Sequence, residues 1–353
     1  MSRFFSNKYK NLIPYTPGEQ PKDMQYIKLN TNESPFEPPK SVKKAVAKAT
    51  GKLELYPDPE CKALTEILAK QYGVESDELL LTNGSDEILN FAFMAFCDDM
   101  HPAVFPDITY GFYSVFAEIN GVPYREIPLK EDFAVDINDY IGCKKTIFIA
   151  NPNAPTGITL TVEQIEEIVR SNPDNVVVID EAYVDFGAES CVPLIHKYDN
   201  LLVTQTFSKS RSMAGARLGF GIGCKELIRD LSTIKYSTNP YNINRMTEAA
   251  GIATLNENGY TEKNCRTIIE NREYTARKLE KLGFTLTESV TNFVFAKNPK
   301  IDGEMLYRKL KERGILVRHF TKKEISQYNR ITVGTKKQMQ RLISTIREIL
   351  EEC

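Results

Sequence analysis

Short apolar runs rich in branched residues recur through the centre of the chain, each ending in turn-forming or polar residues. Leu79–Thr82, Ala103–Phe105, Thr146–Ala150, Val176–Asp180, Leu201–Thr206 and Leu218–Gly223 read as strands, with helical stretches between most of them. Ser85–Cys97 opens with Ser-Asp-Glu and continues through Ile88, Leu89, Phe91, Ala92 and Phe93, the pattern of a largely buried helix. Thr161-Val-Glu-Gln164 is a capping box that opens a helix over Val162–Arg170. Strand, helix, strand in this order predicts an α/β fold, with a mostly parallel central sheet covered by helices on both faces.

The pattern changes in the last third. A long polar helix near Thr261–Leu282 precedes two paired strands, Phe284–Glu288 and Asn292–Lys297. Helix Gly303–Arg313, strands Ile315–Phe320 and Arg330–Val333, and a closing helix Lys336–Glu351 follow. That last helix aligns Met339, Leu342, Ile343, Ile346, Ile349 and Leu350 on one face. These elements predict a smaller α+β domain. The first fifty residues are rich in Pro and Asn, contain one clear helix at Ser41–Thr50, and read as an arm. The expected division is residues 1–50 as arm and part of the small domain, 51–245 as the large domain, and 246–353 as the small domain.

Composition narrows the function classes. At roughly 150 residues per domain, 353 residues suggest about two domains. With 45 Lys+Arg against 47 Asp+Glu, the charge of −2 argues against a nucleic-acid or polybasic membrane binder. No apolar run approaches the ~18 residues of a membrane helix, and the N-terminus lacks a signal-peptide pattern. The seven cysteines (Cys61, Cys97, Cys143, Cys191, Cys224, Cys265 and Cys353) are scattered without a C-x-x-C pair, so a reduced, cytoplasmic setting is expected. His101, His196 and His319 are isolated, which disfavours a histidine metal site. A Ser-His-Asp hydrolase is disfavoured too, because no G-x-S-x-G elbow accompanies them.

In a parallel α/β sheet, ligands bind beyond the carboxyl ends of the strands. Five such segments carry chemistry: Thr82-Asn-Gly-Ser-Asp-Glu87, Pro106-Asp-Ile-Thr-Tyr110, Asn151-Pro-Asn-Ala-Pro-Thr-Gly157, Asp180-Glu-Ala-Tyr183 and Phe207-Ser-Lys209 running on to Arg217. Most have a plain reading alone, as turns, caps or surface ion pairs. For Asp180 a functional reading weighs about as much as the plain one, because an unpaired buried carboxylate at the end of an apolar strand costs several kcal/mol, roughly.

Taken in order, these residues resemble the pyridoxal-phosphate-dependent aminotransferases of fold type I. Leu12-Ile-Pro-Tyr15-x-x-Gly18, Lys28-Leu-Asn-Thr-Asn-Glu33-Ser-Pro35, Tyr56-Pro-Asp-Pro59 and Arg330-Ile-Thr-Val-Gly-Thr335 narrow the resemblance to the class-II histidinol-phosphate aminotransferase family. It spans Leu12 to Thr335 and implies the following roles. Lys209 would hold pyridoxal 5'-phosphate as a Schiff base and later move a proton. Asp180 would keep the pyridine nitrogen protonated, Tyr183 and Asn153 would meet the ring 3-oxygen, and Tyr110 would stack on the ring. Gly84, Ser85 and Asp86 at a helix start, with Ser208 and Arg217, would cradle the phosphate. Tyr56 would reach that phosphate from a neighbouring subunit, which implies a homodimer. Many relatives carry Asn immediately before Pro-Thr-Gly; here that place is Ala154, with Asn153 the nearest substitute.

Arg330 is the candidate for a substrate carboxylate, and Tyr15, Asn32 and Arg318 for a substrate phosphate. The implied reaction is a ping-pong exchange of an amino group between L-histidinol phosphate and 2-oxoglutarate, a step of histidine biosynthesis. Alternatives are an aromatic amino-acid aminotransferase, a phosphothreonine decarboxylase and, last, a non-catalytic cofactor-binding regulator. Such regulators usually append a helix-turn-helix, for which the residues before Asn30 leave no room. A dehydrogenase is disfavoured because no G-x-G-x-x-G follows the first strand.

Overall fold

A computed structural model of the chain describes residues 2–352; Met1 and Cys353 lie outside the described residues. The strands, in chain order, are β1 (Ile27–Lys28), β2 (Leu79–Thr82), β3 (Ala103–Pro106), β4 (Tyr124–Ile127), β5 (Thr146–Ala150), β6 (Val177–Asp180), β7 (Leu201–Thr206), β8 (Gly219–Gly223), β9 (Thr285–Leu286), β10 (Phe293–Lys297), β11 (Ile315–Leu316), β12 (Arg318–His319) and β13 (Asn329–Thr332). The helices are α1 (Lys40–Ala49), α2 (Lys62–Tyr72), α3 (Ser85–Phe96), α4 (Phe112–Asn120), α5 (Val162–Ser171), α6 (Lys225–Thr238), α7 (Arg245–Leu255), α8 (Asn258–Lys281), α9 (Gly303–Glu312) and α10 (Lys336–Glu351).

A seven-stranded sheet in the order β2-β8-β7-β6-β5-β3-β4 forms the larger half. All its pairings are parallel except those of β8, which runs against both β2 and β7. Side chains alternate between two cores, as the period of a strand demands. Ile147, Ile149, Val177, Ile179, Leu201 and Val203 face Leu64 and Leu68 of α2 and Ile165 and Ile168 of α5. Phe148, Val178 and Leu202 face Ile88 and Leu89 of α3, Phe116 of α4 and Leu231 of α6. Fully burying each such side chain stabilises the fold by about 1.5–3 kcal/mol. Val42 of α1 and Ala250 and Leu255 of α7 join the first core, from outside the segment 51–245. The capping box at Thr161 and Gln164 forms as read from the sequence.

The second core holds Phe293, Val294, Ile331, Leu306, Leu310, Met339, Leu342 and Ile346 around the four-stranded sheet β12-β13-β10-β9. The expected single strand Ile315–Phe320 is two: β11 pairs with β1 and β12 pairs with β13. Val317, buried between them, belongs to neither pairing. The expected strand Phe284–Glu288 shortens to β9, which pairs antiparallel with β10. The arm is held by β1, by Leu29 in the second core, and by Thr332 N–H donating to the Leu29 carbonyl at 2.9 Å. Residues 30–34 thereby run between the two halves. Among the described residues no helix is long and apolar enough to cross a membrane.

Candidate active site

Strands β5, β6 and β7 are adjacent and parallel, so the segments that follow them lie side by side. Asp180 closes β6 opposite Thr204 of β7 and is 4 % exposed. Its Oδ1 accepts from the Ala182 N–H at 3.2 Å and from the Thr204 hydroxyl at 3.4 Å. Its Oδ2 accepts from the Tyr113 hydroxyl at 3.2 Å. Burial pushes its carboxyl up to about 7, against the lowering effect of these three donors. A carboxylate so placed gains most from a cation beside it.

Lys209 follows β7. Its Nζ donates to the Thr31 carbonyl of the arm at 3.3 Å and lies 5.8 Å from the centre of the Tyr183 ring. Tyr183 packs edge-on against Phe293 at 5.2 Å, and its hydroxyl accepts from Asn32 Nδ2 at 2.9 Å. Lysine and aspartate therefore come from neighbouring strand ends, with Tyr183 beside both.

On the next flank, Gly84 caps α3 at a φ of 77°, and Arg217 lies just before β8 at a φ of 55°. Both are left-handed, a conformation glycine adopts freely and arginine rarely. The guanidinium lies so close that a Cβ added at Gly84 would stand 2.4 Å from Arg217 Nη2. Gly219 lets α3 press on β8, since a Cβ there would stand 2.4 Å from Ser85 N. Arg217 donates to Asp86 Oδ2 at 2.8 Å and to the Ser208 hydroxyl at 3.3 Å, and the Tyr110 hydroxyl donates to Asp86 Oδ1 at 2.5 Å. These donors already converge on an anion, the Asp86 carboxylate. Burial and that carboxylate hold the Tyr110 hydroxyl well above its usual range.

Asn153 departs from expectation. Its Nδ2 donates to the Ile108 carbonyl at 2.9 Å and to Thr156 Oγ1 at 3.1 Å, and its Oδ1 accepts from Thr109 at 2.7 Å. The amide's donors are spent within its own loop, so the expected contact with a ring oxygen is not open to it. Ala154 beside it is buried and has no polar side chain to offer.

Arg330, on β13, reaches the crevice from the small half. Its guanidinium lies 5.4 Å from the Phe293 ring and 5.8 Å from the Phe320 ring, and donates to the Asn30 carbonyl at 3.0 Å. Its Nε is buried and unpaired. Arg318 donates to the carbonyls of Thr16 and Pro17, which draws the arm over the crevice, and Tyr15 stacks on Phe112 at 4.2 Å. Asn32 is buried and bonded to Tyr183 and Thr332 rather than facing open space. Tyr56 is 78 % exposed, stacked on Tyr241 away from these groups.

Sequence reading missed Tyr113 as a partner of Asp180 and Asn32 as a partner of Tyr183. Tyr113 stands three residues after Tyr110, one turn along the same helix start, a spacing that could have flagged it. The crevice thus offers an amine, a buried anion, a guanidinium with a helix start, and a second guanidinium with a free donor. Such a set fits a phosphorylated aromatic aldehyde with a basic ring nitrogen.

Residues 24–346 match the family model for aminotransferase class I and II, and the chain belongs to that family, with the architecture of fold type I. More particularly, it is 50 % identical over 353 residues to the histidinol-phosphate aminotransferase of Brachyspira hyodysenteriae, covering 99 % of this chain and 100 % of that one. It is 46 % identical over 350 residues to the enzyme of that name from Acinetobacter baumannii, covering 98 % and 97 %. The solved histidinol-phosphate aminotransferase of Clostridium acetobutylicum superimposes with a TM-score of 0.85 at 25 % identity, covering 92 % of this chain and 99 % of that chain.

Proposed function

We propose that this protein is a pyridoxal-phosphate-dependent aminotransferase that exchanges an amino group between L-histidinol phosphate and 2-oxoglutarate, within histidine biosynthesis. The observation that carries the reading is Asp180 and Lys209 at the ends of neighbouring strands, with the half-buried Arg330 near Tyr183 keeping a buried Nε unpaired. The relatives' names select histidinol phosphate over aromatic amino acids. When bound, the cofactor supplies a carbonyl carbon that carries the amino group and a cationic ring that stores an electron pair.

The protein does the rest. Lys209 Nζ would anchor the cofactor and, once released, move a proton to and from the substrate Cα. Asp180 would hold the ring nitrogen protonated, and Tyr183 would donate to the ring 3-oxygen. Tyr110 would cover the ring face. Arg217, Ser208 and the N–H groups of Gly84, Ser85 and Asp86 would hold the phosphate, in competition with the Asp86 carboxylate. Arg330 would meet an acid in both half-reactions. L-histidinol phosphate has no carboxylate, and its phosphate sits on the carbon next to Cα. A guanidinium fork suits both that phosphate and the carboxylate of 2-oxoglutarate. Arg318 and Tyr15 would supply further donors to the phosphate.

We also propose a homodimer in the cytoplasm, with Tyr56 delivered to the partner subunit's phosphate site. Its exposed ring, and the described cysteines all being free thiols, support that reading. The test is an amino-donor screen under 2-oxoglutarate with histidinol phosphate, phenylalanine, tyrosine and phosphothreonine. Glutamate formation fastest with histidinol phosphate is expected. A preference for the aromatic amino acids, or CO₂ release from phosphothreonine, would overturn the assignment.

A further inference from the structure

Ala154 leaves a gap in the chemistry, because no amide at that position orients a group toward the cofactor's ring oxygen, and the Asn153 amide is spent in its loop. Another amide lies next to Tyr183. Asn32 is 1 % exposed and stands at a φ of 57°, a left-handed backbone that Asn tolerates better than most residues. Every polar group it carries is engaged. Its backbone N–H donates to Thr332 Oγ1 at 3.0 Å, and the Thr332 hydroxyl donates to Asn32 Oδ1 at 2.9 Å. Its carbonyl accepts from Asn292 Nδ2 at 2.9 Å. With Oδ1 fixed on Thr332, Nδ2 points at the Tyr183 hydroxyl, 2.9 Å away.

The direction of that bond matters. An amide nitrogen only donates, so the Tyr183 oxygen accepts from Asn32 and its own proton is directed elsewhere. The ring is packed in place, 9 % exposed and met edge-on by Phe293 at 5.2 Å.

We infer that Asn32 is a positioning residue that turns the Tyr183 hydroxyl into an obligate donor toward the cofactor's ring oxygen, supplying from the arm the amide that position 154 lacks. The inference deepens the cofactor reading above and rests on it. Asn32 touches neither substrate nor cofactor in this role; it acts through Tyr183. Thr332 also lies two residues from Arg330 on β13, so the strand that binds the acid aligns the tyrosine as well.

A hydrogen bond donated to the ring oxygen spreads its negative charge. That weakens its hold on the proton of the nitrogen joined to Lys209. Losing the donor should therefore raise the pH at which the bound cofactor's visible absorption changes. The test is a spectrophotometric pH titration of the cofactor-loaded wild type, Asn32→Gly, Tyr183→Phe and the double variant, with circular dichroism as the folding control. Glycine keeps the left-handed backbone and removes only the amide. The midpoint of Asn32→Gly should rise by about half a unit to one unit, the worth of one modest hydrogen bond. Tyr183→Phe should rise further, and the double variant should match Tyr183→Phe, because both changes remove one pathway. Asn32→Asp, which turns the tyrosine proton toward a carboxylate, should rise at least as much as Asn32→Gly and serves if the glycine variant does not fold.

A wild-type midpoint in both Asn32 variants, with Tyr183→Phe displaced, would overturn the role of Asn32 and leave the cofactor site standing. Additive shifts in the double variant would overturn it too. A wild type that shows no visible band with pyridoxal phosphate would overturn the cofactor reading and this inference together.

Discussion

Two charges of the crevice, the Asp180 carboxylate and the Arg330 guanidinium, are built in opposite ways. Asp180 is surrounded by donors from Tyr113, Ala182 and Thr204, yet burial still pushes its carboxyl up to about 7. Arg330 is only half-buried; it gives one bond to a carbonyl and leaves its buried Nε unpaired. Protein dipoles have softened the cost of the anion without removing it; the cation's cost is left partly open. Leaving a charge short of partners in low dielectric disfavours the empty state, and a ligand of opposite sign gains from relieving it. The two sites thus call for a resident cation at Asp180 and an exchangeable anion at Arg330. That matches a cofactor that stays and substrates that come and go.

The comparison predicts the largest effect at the Lys209 amine, which follows the strand next to that of Asp180. Lys209→Ala should abolish the visible absorption of the cofactor–lysine linkage and reduce transamination to background, as read by absorbance and glutamate release. Normal turnover in that variant would remove the reason for pairing Asp180 with Arg330 at all. Next comes the anion. Asp180→Asn should still bind cofactor but lose roughly a thousandfold in kcat, because an amide does not hold the ring nitrogen protonated. An unaltered rate would show that Asp180 answers to nothing cationic.

The cation should behave differently. Arg330→Lys keeps the charge but loses the fork. KM for both amino donor and 2-oxoglutarate should rise about tenfold while kcat changes less, because one hydrogen bond to an acid is lost in each half-reaction. Steady-state kinetics with each substrate varied in turn would check this. A change confined to one substrate would mean that the two acids do not share the guanidinium.

The anion was far more legible in the sequence than the surroundings of the cation. Lys209, Asp180, Arg217 and Gly84 all follow or precede strands whose apolar runs are short and sharply ended, so their placement at one end of one sheet follows from local pattern. Tyr113 and Asn32 were not legible as partners. Their bonds join residues 67 and 151 positions apart: the three-residue spacing from Tyr110 could bring Tyr113 to the region, but nothing local names its partner, and nothing local announces Asn32. The edge strand β4 escaped for a different reason: Tyr124, Arg125 and Glu126 are exposed, so it shows no buried run. Val317 made β11 and β12 look like one strand because an apolar run does not reveal that its two halves pair with different partners. Asn153 and Ala154 show the limit from the other side. Position relative to Pro-Thr-Gly suggested a ring contact, but only the three-dimensional neighbours of the amide show that its donors are already used.

The smallest expected effect isolates the anion from catalysis altogether. In the apoprotein the Asp180 carboxyl is pushed up from an ordinary 3.8 to about 7, so the folded chain binds this proton more tightly than the unfolded chain. The contribution of this group to folding is therefore most favourable below about pH 4. It declines as pH rises toward 7 and has been lost above it. A cationic ring nitrogen beside the carboxylate reverses the preference for the protonated form. The gain in Tm on adding pyridoxal phosphate should then grow between about pH 5 and pH 8, by about 2 °C beyond any change common to a variant without the acid. Asp180→Asn should show a gain that lacks this added slope. Thermal melts of both proteins, with and without cofactor across that range, would measure the difference. Parallel slopes would mean that the buried carboxylate meets no cation when the cofactor binds, and the contrast with Arg330 would lose its meaning.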